Sequence, residues 1–336
     1  MKAHGSYLSS VFVQPQTLSR RALKLLVVRT AAVASVTLLV LTLLSLVGQT
    51  YPLELLTHFQ VQYLLAALLC TVLLAALRRW RWFAVSLGSL VLAGAAVLPY
   101  QAGQTAHAHV GSSGQRTVRL LLANVLLSNT AYQDVLDLVE AEDADVLIFQ
   151  EVNERWQRAL APIGAAYPHI VERPREDPYG TVVYSRLPIE QVDVLELGEA
   201  GRSTVCLRVM VAGTPVSIVC THPNQPLMPT GFTHRNDQLD RVAEVTAGLP
   251  HPLVLAGDLN MSMWSPWFQR LCERTGLRSV RSGMGVLGSW PAALPRCLRL
   301  PIDHFLVSGG VSVTGCRLGL PIGSDHLPLI VDLVFP

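Results

Sequence analysis

Three nearly uncharged apolar runs, residues 30–47, 61–77 and 82–98, divide this chain before any other feature is considered. Each is long enough to cross, as a helix, a hydrocarbon layer about 30 Å thick, at the short end of the usual range. A water-soluble domain would need a large partner surface to cover three helices that are apolar all round. The runs are therefore expected to be membrane spans. A cleaved secretory signal would account for the first run alone, and two further runs make it the weaker reading.

Charge gives the spans a direction. Arg20, Arg21, Lys24 and Arg29 precede the first run, Arg78, Arg79 and Arg81 separate the second from the third, and residues 48–60 contain no Lys or Arg. Basic flanks stay on the cytoplasmic side. The N-terminal segment, 1–29, and the 78–81 turn are thus expected in the cytoplasm, and all that follows Leu98 in the periplasm or outside the cell. Trp80, Trp82 and Tyr100 suit the interfaces. Residues 99–115, with their Gly, Gln, Ser, Thr and Ala, read as a polar linker.

From Arg116 to the C-terminus the pattern changes to short β-like runs alternating with amphipathic helices, enough chain for one α/β core. A strand over 118–124 ends at Asn124, a helix over 131–142 turns Leu136 and Val139 inward, and an apolar strand over 145–150 delivers Glu151. If those strands run parallel, Asn124 and Glu151 share one sheet edge. Residues 153–161 have a helical pattern. Further strands cover 181–185, 204–211 and 216–221, the last ending at His222. A helix over 232–249 carries Arg235, Leu239, Val242 and Thr246 in one row, and leads into a strand over 253–256 that presents Asp258 and Asn260. Asp303 opens another strand, and Asp325-His326 precedes the last, over 327–334. By strand alternation His304 points away from Asp303. Acid, amide and imidazole groups thus gather at strand ends, which suggests one site that cleaves a polyanion with a metal.

Cys206 and Cys220 flank a hairpin turn near Ala212-Gly213-Thr214. A three-residue loop would set them opposite each other and a two-residue loop on opposite faces; two buried thiols are expected over a disulfide. From Arg116 onward there are 18 Arg, no Lys and 23 Asp plus Glu, a net charge of −5. Nucleic-acid binders usually show a basic excess. One local exception gathers Arg270, Arg274, Arg278, Arg281, Arg296 and Arg299 around Trp290, with Glu273 the only acid among residues 270–299. It reads either as a phosphate-binding patch, for nucleic acid or lipid headgroups, or as a solvated face.

The ordered set Ala123-Asn124-Val125, Phe149-Gln150-Glu151, Tyr184-Ser185-Arg186-Leu187-Pro188-Ile189, Thr221-His222, Gly257-Asp258-Leu259-Asn260, Ser289-Trp290-Pro291, Ile302-Asp303-His304 and Gly323-Ser324-Asp325-His326 resembles the endonuclease/exonuclease/phosphatase superfamily, of DNase I-like fold, in a membrane-anchored bacterial form. No single motif is specific, but the whole set in this order is. The resemblance covers nearly all of 116–336 and none of the first hundred residues. It implies a four-layer α/β/β/α sandwich of two mixed sheets and hydrolysis of a phosphate ester with a divalent cation.

A phosphodiester is already anionic, so hydroxide attack needs a cation to offset charge and a base to make the nucleophile. Hard oxygen ligands favour Mg2+ or Mn2+. Glu151 is the leading ligand candidate, and a neutral His326 would be the general base or hold the attacking water. What the resemblance adds is that Asp303 pairs with His326 and Asp325 lies near the metal, although from the residues alone these two acids are interchangeable. It also implies that Asp258 orients the water or protonates the leaving group, that Asn260 donates to a phosphoryl oxygen, and that His222 stabilises the phosphorus centre or departing oxygen. Asn124 would position Glu151 or the phosphate, and Arg235 and Trp290 fall where substrate-binding residues are expected. Some members carry an acid two residues after the Asn; here Leu126 argues against a second metal. Three readings follow: a membrane-anchored nuclease first, a phospholipid or sphingomyelin-type phosphodiesterase or headgroup phosphatase second, and an inactive membrane scaffold third.

Overall fold

The computed structural model describes residues 19–101 and 116–336. Three helices come first: α1 (Arg20–Ser45), α2 (Gln60–Ala76) and α3 (Trp80–Gln101); α1, α3 and the helical stretch Leu53–Ala76 that ends in α2 are long and apolar enough to cross a membrane. A 3-10 turn, Leu53–Phe59, joins the first two. The helices meet through small and hydroxylic residues, with Ala31, Ser35, Ala67, Ser86, Ser89 and Ala93 buried while Val33, Leu69, Val72 and Val91 face outward. Thr42 and Ser89 lie 3.2 Å apart, oxygen to oxygen, and Thr71 donates to Ser86 at 2.9 Å. Small side chains let helices approach closely where a lipid-like surround removes the hydrophobic drive between them. α3 runs through Pro99 to Gln101, three residues into the expected linker, and the rest of that linker lies outside the described residues.

The second part is the expected sandwich. Its elements, in order, are β1 (Thr117–Asn124), α4 (Tyr132–Glu142), β2 (Val146–Gln150), α5 (Glu154–Leu160), β3 (His169–Arg173), β4 (Thr181–Ser185), β5 (Ile189–Leu197), β6 (Arg202–Val211), β7 (Thr214–Thr221), α6 (Pro229–Ala247), β8 (Leu253–Asp258), α7 (Pro266–Thr275), β9 (Arg278–Ser279), β10 (Asp303–Val307), β11 (Ser312–Leu318) and β12 (Leu329–Val334). One sheet has the order β11-β12-β1-β2-β4-β3 and the other β5-β6-β7-β8-β10-β9. Each contains one parallel pair, β1 with β2 and β7 with β8, and is otherwise antiparallel.

Alternation along the strands builds the layers. Leu120, Leu122, Val146 and Ile148 meet Val205, Leu207, Ile218 and Phe305 between the sheets. The intervening Leu121, Ala123, Leu147 and Phe149 pack outward on Val135, Leu138 and the fully buried Trp156 of α4 and α5. In α4 the inward row is Val135, Leu138 and Val139, with Leu136 only half-buried. On the other side Leu239, Val242, Phe268 and Leu271 cover the second sheet, joined there by Val97 of α3 and by Val61 and Leu64 of α2. The N-terminal apolar helices therefore supply part of the outer layer.

The hairpin between β6 and β7 has a two-residue loop, with Val211 opposite Thr214 and positive φ at Ala212 and Gly213. That twist suits paired strands. Cys206 accordingly faces Val219 and Cys220 faces Val205, on opposite faces of the sheet, and both are buried free thiols.

Candidate active site

Parallel pairing of β1 and β2 sets Asn124 against Gln150, so Glu151 emerges beside Asn124 at one edge. In the second sheet β7 and β8 likewise end together at His222 and Asp258. β10 is antiparallel to β8, with Asp303 directly opposite Asp258, so the start of one strand meets the end of the other. His326 arrives on the segment before β12 by the same logic. The polar groups thus share one edge of the sandwich, although Asp303 and His326 stand at strand beginnings and not at C-terminal ends.

Gln150 ties the two sheets together there. Its Nε2 donates to Thr221 O at 2.9 Å, and its Oε1 accepts from Asp258 N at 2.8 Å. Gly257 allows the approach, since a Cβ at that position would lie 1.8 Å from Thr221 O.

Across this bridge the side chains form one connected network. Asn124 Nδ2 donates to Glu151 Oε1 at 2.9 Å and to Asp258 Oδ2 at 3.3 Å. Asp258 Oδ2 is 3.5 Å from His222 Nε2 and 3.6 Å from His326 Nε2. His326 Nδ1 is 2.9 Å from Asp303 Oδ2, which also accepts from Ser289 Oγ at 2.6 Å. Asp303 is therefore the partner of His326. Asp325 lies apart from that pair, with Oδ2 accepting from the Trp290 indole at 2.9 Å and Oδ1 buried without a partner among the described residues. Ser324 donates to Asn124 O and accepts from His326 N, which anchors the histidine segment on β1.

Backbone geometry adds to the picture. Leu126, Glu151 and Asn260 have φ of 62°, 63° and 51°. Left-handed conformations are costly outside glycine, least so for Asn, and persist where surroundings over-determine them. Leu127 N holds Glu151 Oε2 at 3.0 Å, and Asp258 Oδ1 holds Asn260 N at 2.9 Å.

Burial opposes charge on Asp258, but His326, His222 and the Asn260 N–H outweigh it and hold the carboxyl at about 2. Burial likewise pulls His326 down, and the carboxylates of Asp303, Asp258 and Asp325 overcome it, pushing the imidazole up to about 10. His304 faces the other way, as alternation requires; burial and Arg281 push it down to about 3, and its Nε2 donates to Met261 O at 2.8 Å.

Arg235 corrects the sequence expectation. It is 0% exposed, its guanidinium donates four hydrogen bonds to Asn236, Glu54 and the Asn260 carbonyl, and it lies 3.2 Å from Glu54 Oε1 as well, so it is buried away from substrate. Most of the arginine patch is engaged elsewhere: Arg270 and Arg274 pair with Asp240, Arg278 and Arg299 donate to carbonyls, and Arg281 is fully buried, while Arg296 is exposed. Trp290 does border the site, its ring 6.5 Å from that of His326. Sequence reasoning missed Gln150, Ser289 and Ser324 as supports, although each adjoins or lies within a motif. It also missed Tyr179, whose ring sits 5.4 Å from that of His222 with the Arg202 guanidinium 3.6 Å over it; no local signal marks that residue.

For a divalent cation the network offers candidate donors. Glu151 and the unpartnered Asp325 Oδ1 offer hard oxygen donors of the kind Mg2+ and Mn2+ take. Asp258, Asp303 and His326 also cluster within 4.8 Å, but Asp303 lies behind the imidazole, engaged by His326 and Ser289, and serves that histidine.

The two mixed sheets, flanking helices and strand-end cluster define a phosphoesterase fold of DNase I-like type. The chain belongs to the Endonuclease/Exonuclease/phosphatase family, whose model matches residues 121–326. No curated protein matches it. Among solved structures it is similar to an endonuclease/exonuclease/phosphatase from Bacteroides vulgatus, at 17% identity and a TM-score of 0.56, over 66% of this chain and 100% of the other. D. rerio TDP2 in complex with a single-strand DNA product aligns at 17% identity and a TM-score of 0.55, over 65% and 98% of the two chains. The human Nocturnin catalytic domain with a bound sulfate anion aligns at 18% identity and 0.53, over 66% and 95%.

Proposed function

We propose that this protein is a membrane-anchored phosphodiesterase that depends on a divalent cation and works outside the cytoplasm. The observation that carries the reading is the Asp258 carboxylate, within 3.6 Å of both His222 and His326 and linked through Asn124 to Glu151. Glu151 and Asp325 would hold the cation, which when bound offsets the charge of the phosphoryl group and of the carboxylates. His326 Nε2 would take a proton from an attacking water, while Asp303 holds Nδ1 and so the ring's orientation. His222 has no hydrogen-bond partner on either ring nitrogen among the described residues and is free to donate to a phosphoryl or departing oxygen. The Asn260 side chain donates to Pro223 O, so its role as a phosphoryl donor requires that bond to be exchanged on binding.

The basic flanks of α1 and of the α2–α3 turn support a cytoplasmic N-terminus and an outer catalytic domain. A reporter fused after Pro336 is expected to be active only outside, and a cytoplasmic signal would reverse the topology.

Two substrate classes divide the remaining choice. Likeness to a TDP2–DNA complex supports the nuclease. Exposed apolar side chains on the loops that follow His222 and Trp290 in the chain favour a phosphodiester in a lipid headgroup. Leu227 and Met228 are each 65% exposed, and Leu294 and Leu298 are exposed too. Their loops are tied to the outer ends of the membrane helices, Leu227 O by Tyr51 and Cys297 O by Gln62. Apolar side chains there suit a bilayer surface better than a polyanion. The test offers plasmid DNA, RNA and labelled phospholipid vesicles side by side to the full chain with Mg2+ or Mn2+. Vesicle hydrolysis abolished by EDTA is expected; cleavage of nucleic acid alone would restore the nuclease, and no turnover on any substrate would leave a scaffold.

A further inference from the structure

Glu54 is the only acidic residue in the first 115 positions. It lies outside the family match, on the 3-10 turn between the first two membrane helices, and is 0% exposed. Its carboxylate is 3.2 Å and 3.3 Å from the Arg235 guanidinium and accepts from Ser265 Oγ at 2.6 Å. Arg235 also donates to the carbonyl of Asn260 at 3.1 Å. One helical turn later, His58 Nδ1 accepts from Ser262 N at 3.2 Å, which leaves its proton on Nε2, 3.5 Å from Glu54 Oε2. The turn thus grips residues 260, 262 and 265 of the loop that follows Asp258, and one of these has the left-handed backbone of Asn260. Sealing helices to a domain does not require this: apolar contacts from Val61, Leu64 and Val97 already do so, and a buried ion pair carries a desolvation cost that such contacts avoid.

We propose that the turn Leu53–Phe59 is a positioning element of the catalytic site, with Glu54, through Arg235, and His58 holding the 258–265 loop in its working geometry. The anchor is then part of the enzyme and not a tether alone. This rests on the phosphodiesterase reading for its kinetic consequence but not for its structural one.

The full chain in detergent tests both. Glu54→Gln and His58→Ala are expected to lower kcat on bis-p-nitrophenyl phosphate by roughly 10- to 100-fold, the scale of small misplacements in a site, with KM changed less than about two-fold. Amide hydrogen exchange should quicken in 258–265 while β1, β2 and β8 up to Ala256 stay protected. Gln62→Ala, which removes another contact between helices and domain, should alter neither readout. Unchanged exchange in 258–265, exchange rising across both sheets alike, or an equal loss in Gln62→Ala would each overturn the proposal. If the wild-type chain hydrolyses nothing, the phosphodiesterase reading fails and the exchange pattern alone decides this one.

Discussion

Two buried polar networks sit back to back on the loop after β8, and they differ in what they leave open. On the cleft side His222 has two buried ring nitrogens without partners, and Asp325 has one such oxygen, among the described residues. On the side of the apolar helices Arg235 donates to Asn236, Glu54 and the Asn260 carbonyl and Glu54 accepts from Arg235 and Ser265, with Asn236 Nδ2 and His58 Nε2 the loose ends among the described residues. Buried polar groups are costly when unpaired. An enzyme tolerates that cost where a ligand will complete the set, and satisfies the groups where geometry alone is needed. The same residue types thus serve chemistry on one side and position on the other.

The sharpest way to break this contrast is to remove the open side. His326→Ala and Asp258→Ala are each expected to lower kcat by roughly a hundred- to ten-thousand-fold with an unchanged circular dichroism spectrum; a loss under about ten-fold would mean that the open groups are not the reacting ones. Closing groups behave differently. Arg235→Met would leave Glu54 buried without its partner and is expected to destabilise the fold by about 3–5 kcal/mol, read as a lower melting temperature of the solubilised chain. A raised KM at unchanged stability would instead return Arg235 to the substrate.

Proton linkage separates the networks next. His326 stands at about 10, above its ordinary 6.5, so its contribution is complete below pH 6.5 and is lost as pH rises towards 10. Asp258 stands at about 2, below 3.8, so its contribution is complete above pH 3.8 and is lost as pH falls towards 2. In EDTA the protein should lose on the order of a few kcal/mol of stability between neutral pH and 10. His326→Gln should flatten that limb of the melting profile, and a slope that survives the substitution would assign it to another group. The smallest effect is expected from Arg270→Ala, whose half-exposed pair with Asp240 contributes under about 1 kcal/mol. If DNA cleavage nevertheless fell in that variant, the arginine face would regain its claim as a phosphate track.

Much of the sandwich was legible because central strands are buried on both faces and read as apolar runs. The strands that escaped were β3, β5, β9 and β11, which are the four sheet edges. Their burial is mixed, as in the largely exposed β5, and neither run nor alternation stands out. Site residues at the ends of β1, β2, β7 and β8 were readable for the complementary reason, since a polar group closing an apolar run is a local signal. The arginine patch stayed open in sequence because proximity along the chain says nothing of pairing: Asp240, which pairs with Arg270 and Arg274, is 30 residues from the first of them.

Sequence alone determined the division into apolar spans and α/β domain, and the kinds of group brought to the strand ends, because both depend on runs and periods within a few residues of each other. Tertiary structure decided the partnerships. That Asp303 and not Asp325 backs His326, and that Arg235 meets Glu54 across 181 residues of chain, follows from which atoms are left facing each other once water is excluded. A buried charge must find a partner, and only the folded chain specifies where that partner lies.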